Sequence, residues 1–371
     1  MVVYDLQMAG AMTHKERFLM AINHEEPDRV PLDAWYTPEE ERKVLEYLGE
    51  DTSKLSLYAA DGVLLPHLMD HDFLISWIGP CTGYYLKEDD EYCDEWGIKW
   101  RWVDTHSGAR YTEMAEHPLA DIKDPDGFNM PDFKDESRYI DIRHMVEKYG
   151  REYGIVGGVA CTLFELSWYL RGMDRVLEDM IRNRDFYHAY LDKLMTWIID
   201  AGSRLVEIGV DVIFIGDDFG MQDRMLISPE MFREFFKPRY EKLFTLFREK
   251  DPDIKFAFHT DGNVYPILPD FVDIGLHILN PVQPASMDPA KLKKDFGKYL
   301  TFWGTVDNQH VMPFGTVEDV INEVKLRLKT VAPGGGLIIA PAHNIQPQTP
   351  IENVMAFYES VKKFGKYPIN I

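Results

Sequence analysis

Cysteine is scarce. Cys81, Cys93 and Cys161 are the only three in 371 residues, widely spaced and with no C-x-x-C pair. This excludes a disulfide framework and points to a reducing compartment. Positive charge is short as well: 40 Lys and Arg stand against 62 Asp and Glu, a net charge of −22. Nucleic acid and anionic membranes both call for a basic surface, so neither is expected as the main partner. No run of 18 apolar residues occurs, so no membrane-spanning helix is expected. The residues before Lys15 carry Asp5 and no positive start, which argues against a secretory signal and for a cytoplasmic location. Internal repeats, low-complexity tracts and Pro/Gly/Ser linkers are missing too, so residues 1–371 read as one domain.

What is present is an ordinary globular composition, 45% hydrophobic and 27% charged. From about residue 150 onward, short apolar runs alternate with long amphipathic stretches. The runs are Ile155–Val159, Val212–Ile215, Lys255–Phe258, Leu276–Leu279, Tyr299–Trp303 and Leu337–Ala340. Short runs rich in Val, Ile and Phe have the character of parallel strands buried on both faces. The stretches between them, such as Asp185–Ile208 and Pro229–Lys250, space their apolar residues for helices. Ser228-Pro229-Glu230 and Thr349-Pro350-Ile351 each set a capping hydroxyl before a first-turn proline. Two upstream strand candidates, Arg29–Trp35 and a weaker one at Leu55–Ala60, bring the count to eight. Eight strands close a (β/α)8 TIM barrel, so the expected fold is α/β, with an N-terminal helical extension. The aromatic-dense segment Leu74–Tyr111 breaks the alternation and reads as a small insertion of two or three antiparallel strands. Trp96, Trp100, Trp102 and Tyr111 are expected to pack that insertion rather than to bind a ligand.

In a barrel of this kind, functional groups sit just after the strands, at the C-terminal face. The unusual polar residues fall there: Asp217-Asp218, His259-Thr260-Asp261-Gly262, Asn280 with Gln283, Asp307, and His343-Asn344. Each has a blander role to set beside the chemical one. A lone Asp after a strand often caps the next helix, as for Asp307. Adjacent residues leaving a strand point in opposite directions, so only one of Asp217 and Asp218 is expected to face the mouth. A single strand-end His is usually structural. Two histidines and Asp261, however, make a donor set suited to zinc with an open position for water or substrate. His259 and Asp261 can reach one ion if the backbone turns at Gly262; His343 can join them only through the fold. Cys161 is expected to pack.

Five segments carry a resemblance: Thr13–Trp35 (THKERFLMAINHEEPDRVPLDAW), Asp94–Trp100 (DEWGIKW), Gly216–Pro238 (GDDFGMQDRMLISPEMFREFFKP), Leu279–Asp288 (LNPVQPASMD) and Gly336–Pro350 (GLIIAPAHNIQPQTP). Together they resemble the uroporphyrinogen decarboxylase superfamily, which implies a (β/α)8 barrel with its site in the mouth. The superfamily holds decarboxylases and corrinoid-dependent methyltransferases. The decarboxylases carry an arginine-rich R-Q-A-G-R segment after the first strand for a substrate with many carboxylates. Here the matching stretch, Ala34–Glu40, has no arginine and two glutamates. The methyltransferases hold zinc through an H-x-C motif and a late Cys. His259-Thr260-Asp261 and Ala340-Pro341-Ala342-His343 resemble these motifs with Asp and His in place of Cys.

The resemblance therefore implies a metal site at His259, Asp261 and His343, harder than a thiolate site. It implies a methyltransferase of the O-demethylase type (EC 2.1.1), at work in anaerobic metabolism. Such an enzyme moves a methyl group from a small methoxylated, aromatic compound to the cob(I)amide of a separate corrinoid protein. The cobalamin-binding signature D-x-H-x-x-G is missing here, since Asp104-Thr105-His106 is followed by Ser107-Gly108. The corrinoid is thus expected on a partner, and a homodimer is the assembly considered. Asp217, Asp218 and Glu165 are the expected acid or ion-holding residues. Trp35, Tyr36, Phe164, Trp168, Phe219, Asn280 and Gln283 are the expected substrate-binding residues. The alternatives are a uroporphyrinogen decarboxylase-type lyase and a methylcobamide:thiol methyltransferase.

Overall fold

The computed structural model describes residues 12–52, 63–87, 89–104 and 110–371. Among the described residues ten strands are formed: β1 (Phe73–Trp77), β2 (Glu91–Cys93), β3 (Lys99–Asp104), β4 (Arg110–Glu116), β5 (Gly154–Ala160), β6 (Val212–Gly216), β7 (Lys255–His259), β8 (Ile278–Val282), β9 (Thr301–Val306) and β10 (Leu337–Pro341). Seven of them lie side by side in the order β1-β5-β6-β7-β8-β9-β10, every neighbouring pair parallel. Strands β5, β6, β8, β9 and β10 are buried at every residue, as helices on the outside and a filled lumen inside require.

The segment 30–36 closes the ring as its eighth stave. Ile339 N–H donates to Pro31 O at 2.9 Å and Asp33 N–H to Ile339 O at 3.1 Å on the β10 side. On the other side Asp72 N–H, just before β1, donates to Leu32 O at 3.3 Å. Pro31 has no N–H to give, so this stave is bound by isolated bridges instead of a continuous ladder. The fold is thus the (β/α)8 barrel.

The second stave corrects the sequence reading. The candidate Leu55–Ala60 lies outside the described residues, and β1 stands beside β5 instead. Its sequence, FLISW, overlaps the start of the insertion expected over Leu74–Tyr111, because its aromatics resemble those that follow. The insertion itself is the antiparallel sheet β2-β3-β4, from Glu91 to Glu116. Its inner face is fixed by Trp96 against Phe133 and Trp197, and by Trp100, whose indole N–H donates to Asp94 at 2.8 Å.

Below the strands, helix α1 (His14–Ile22) starts at a Thr13/Glu16 capping box and plugs the N-terminal end. Phe18 lies so close to Gly154 that a Cβ there would stand 2.3 Å from the ring. The long helix 184–208 stops at Gly209, in the left-handed conformation that suits glycine. The stretch Pro229–Lys250, read as one helix, carries a π-turn over Phe232–Phe236 because Pro238 cannot donate its turn of the ladder. Ser228 caps it as expected, accepting from Met231 N–H at 3.2 Å. Thr349 does not cap: its hydroxyl is buried with no hydrogen-bond partner among the described residues.

The lumen is filled by rings. Trp35, Phe73, Phe214 and Trp303 come from staves that are not all neighbours, yet touch at centroid distances of 4.8–5.8 Å. Such contacts are possible only across the inside of the barrel. The plug seals the barrel below the mouth.

Candidate metal centre at the barrel mouth

Strand β7 delivers His259 to the rim, and the chain then turns at Gly262, φ +78°. A Cβ at Gly262 would stand 2.5 Å from Met221 O, so only glycine permits this close crossing. The turn aims Asp261 back toward His259. Strand β10 ends at Pro341 and brings His343 to the same place. The ligand atoms of His259, Asp261 and His343 lie within 4.8 Å of one another, the one such group found among the described residues. His259 Nε2 stands 3.9 Å from Asp261 Oδ1, and His343 Nε2 stands 3.7 Å from Asp261 Oδ2. Asp261 Oδ1 is buried and accepts no hydrogen bond among the described residues. A buried carboxylate oxygen without a donor is costly, and a cation between the three side chains would satisfy it. The donor set therefore fits a zinc-like ion.

The two imidazoles are held differently. His259 Nδ1 donates to Asn280 Oδ1 at 2.7 Å, which leaves Nε2 with its lone pair facing the cluster. His343 Nδ1 accepts from Asn344 N–H at 2.8 Å, so in the neutral ring its proton sits on Nε2, facing Asp261. His259 is preset as a ligand, whereas His343 must exchange a hydrogen bond to become one. Space for His259 comes from Gly216 on β6, where a Cβ would stand 2.6 Å from the His259 Cβ. Trp35 stacks over the ring at 6.0 Å and 28°.

Asn280 and Gln283, expected to orient substrate, hydrogen-bond the His259 ring and the Gly262 turn of the candidate metal group. Gln283 Oε1 accepts from Gly262 N–H at 2.7 Å. Asn308 Nδ2 does the same for the second loop, donating to His343 O and Asn344 O at 3.0 and 2.8 Å. Asp307 is a cap, accepting from Gln309 and His310 N–H.

Of the acidic pair only Asp218 faces the cluster. Its Oδ1 accepts from Asp261 N–H at 2.8 Å and lies 3.9 Å from His259 Nε2. Desolvation and then Asp261 raise its carboxyl above the usual range. Asp217, expected with it as an acid, faces the sheet and helix instead of the cluster. It is fully buried, accepting from Thr162 Oγ1 at 2.5 Å, Leu163 N–H at 2.9 Å, Glu165 N–H at 2.8 Å and the Tyr240 hydroxyl. It fastens the start of helix 164–171 to the sheet and has no oxygen left for chemistry. Glu165, in that helix's first turn, accepts from Tyr169 OH at 2.8 Å. Burial, then Asp218 and Asp217, push its carboxyl well above the usual range. Cys161 is buried with its thiol pushed well up, and is no ligand.

The aromatic expectations divide. Trp35 reaches the cluster, and Trp168 stands half-buried against Tyr169 at 4.4 Å. Phe164 and Phe219 do not line the mouth; both are fully buried, stacked on each other at 5.3 Å and packed on Phe236. Tyr36 turns away to Tyr358, hydroxyl to hydroxyl at 2.6 Å, and Tyr358 meets His71 at 2.7 Å. Trp77 was missed: it ends β1 on the lumen side, 38% exposed.

With barrel and site in place, the family follows. The chain belongs to the uroporphyrinogen decarboxylase (URO-D) family, whose model matches residues 102–364. Among its relatives, the methylcobamide:CoM methyltransferase MtaA of Methanosarcina barkeri is 29% identical over 215 residues, 58% of this chain and 60% of that protein. The chain thus matches less than two thirds of that relative's length. The uroporphyrinogen decarboxylase of Coxiella burnetii (strain Dugway 5J108-111) is 23% identical over 282 residues, 72% of this chain and 75% of that one. A solved methyltransferase from Methanosarcina mazei superposes with a TM-score of 0.71 at 25% identity, covering 95% of this chain and 99% of that one. The higher of these identities and the near-complete superposition are both to methyltransferases.

Proposed function

We propose that the protein is a methyltransferase that takes the methyl group of a small methoxylated aromatic compound and passes it to the cob(I)amide of a separate corrinoid protein. The observation that carries this reading is the convergence of His259, Asp261 and His343 without a thiolate. A methylcobamide:thiol methyltransferase gains from a sulfur-rich site that binds thiolate, whereas an ether oxygen is a hard ligand. Bound zinc would supply Lewis acidity toward that oxygen.

The chain's own residues account for the rest. Asn280 fixes the His259 tautomer, while Gln283 and Asp218 hold the Asp261 turn. The aromatic plug keeps water from entering beneath the site. As the methyl carbon–oxygen bond breaks, the methyl passes to the corrinoid and the oxygen keeps the electron pair. Glu165, whose carboxyl burial and then Asp218 and Asp217 raise above the usual range, is the general acid in this reading: it gives a proton to the phenolate and takes one back from water. The corrinoid protein docks over the mouth loops through a transient interface.

Metal analysis, followed by transfer assays with reduced corrinoid protein and a panel of methoxybenzenes, tests this reading. About one zinc per chain and release of the free phenol are expected. Full activity after chelation, or transfer to no corrinoid protein from any methoxybenzene, would sink it. A second reading, transfer from methylcobamide to a thiol, draws on the MtaA relatives. It predicts methylation of coenzyme M, and the same assay with that acceptor decides between them. No cysteine belongs to the described metal-ligand group, which disfavours it.

A further inference from the structure

Trp77 is the odd ring of the lumen. It lies edge-on to Trp35 at 5.6 Å and 85°, and edge-on to Phe214 at 5.2 Å and 86°. Phe214 and Trp303 are sealed at 0% and 1% exposure, but Trp77 keeps 38% of its surface open at the mouth. Its underside rests on β5 at Gly158, where a Cβ would stand 2.3 Å from the indole. Residue 158 is thus bare of side chain and Trp77 lies over its backbone. Burial would have been the default for so large an apolar ring inside a barrel. Instead a rigid aromatic face is braced from below by backbone and from two edges by rings. It stands one ring away from His259, through Trp35 or Phe214.

We propose that Trp77 is a stacking platform for the planar aromatic ring of the ligand, placing the ring's ether substituent toward the His259–Asp261–His343 group. The assignment of the ligand as aryl rests on the function proposed above; the platform itself rests on the open, braced indole. Aromatic pairs favour offset or edge contacts worth about 0.5–1.5 kcal/mol beyond area burial, so loss of the ring should weaken binding about tenfold.

Calorimetric titration of 1,2-dimethoxybenzene into zinc-loaded and chelated protein tests the platform without any turnover. Expected are saturable binding to the wild type, a Kd raised about tenfold or more in Trp77→Leu, and a change of about threefold or less in Trp77→Phe. Zinc content and the melting midpoint, measured alongside, should match the wild type in both variants. Gly158→Ala, which tilts the indole, should weaken binding while leaving residue 77 in place. Wild-type affinity in Trp77→Leu, or no binding of the ring to the wild type, overturns the platform. Trp77-dependent binding with no methyl transfer to any corrinoid protein would leave the platform standing and remove the proposed function. Transfer from aryl ethers that ignores Trp77 would do the reverse.

Discussion

At the scale of single residues, the positions of the candidate metal group were legible and the roles around it were not. His259, Asp261 and His343 stood out because each follows a strand, and a barrel gathers strand ends. Asn280 and Gln283 stood out for the same reason, but no sequence pattern says whether an amide faces a substrate or a neighbouring loop. Both hydrogen-bond the His259–Gly262 segment of the candidate metal group, and this gives a prediction. Outer partners of ligating histidines contribute about 10–100-fold to metal affinity. Asn280→Ala should therefore weaken zinc binding by that range in competition with a chromophoric chelator, while the circular dichroism spectrum stays unchanged. Unaltered affinity would show that the His259 tautomer needs no help.

Glu165 gives a second prediction, through pH. Its carboxyl is raised in the folded state, so the folded chain holds a proton that the unfolded chain releases near 4.5. That contribution to stability is fully present below the unfolded value and is lost as pH rises through the folded one. Glu165→Gln stays neutral throughout, so the zinc-free variant should melt above the wild type at pH 8. The gap should close toward pH 4.5, and methyl transfer should fall at every pH. A constant offset across the range would mean that Glu165 is not protonated in the fold.

At the scale of elements, strand existence was easy to read and facing was hard. The fully apolar strands carry no alternation, so the sequence gives no mark for which side meets the lumen. Phe164 and Phe219 follow strands just as Trp35 and Trp77 end theirs, yet the first two are core and the latter two reach the mouth. Tyr36 leaves its stave one residue after Trp35 and so points the opposite way, into the Tyr358–His71 network. Asp217 shows the element-level logic most clearly. Two backbone N–H groups at the start of helix 164–171 and two hydroxyls converge on it, joining β5, β6 and that helix. Each buried donor left unpaired costs about 1–3 kcal/mol. Asp217→Ala should lower unfolding free energy by at least about 3 kcal/mol in urea titration, and Asp217→Asn by less. A mild effect of Asp217→Ala alongside a large loss of kcat would restore the catalytic role that the geometry argues against.

At the scale of the whole molecule, the barrel separates holding together from reacting. The C-terminal mouth carries the orphaned Asp261 oxygen and the raised carboxyls, and the N-terminal end carries the opposite kind of site. There Asp72, fully buried, accepts from Arg17 and Arg29 at 2.6 Å each, from Leu32 N–H at 2.9 Å, and meets His14 at 3.1 Å. Burial alone would raise its carboxyl, but His14, Arg29 and Arg17 outweigh burial and hold it below the usual range. This cluster ties α1, the closing stave and β1 together, so it locks the ring where its ladder is weakest.

Breaking a buried pair by removing one partner costs about 3–5 kcal/mol, since the remaining charges stay buried. Asp72→Asn should accordingly lower unfolding free energy by about that amount at pH 7, with the loss shrinking as pH falls through the range where Asp72 itself takes up a proton. Zinc affinity and transfer rate per folded molecule should stay at wild-type values, because nothing at the bottom touches the mouth. His343→Ala should show the mirror image, losing zinc while the zinc-free protein unfolds as the wild type does. The two sites share no partner, so the effects on zinc-free stability should add within about 0.5 kcal/mol in the double variant. A larger coupling energy would mean that the barrel transmits strain from its closing stave to His343, and that the two ends are not independent.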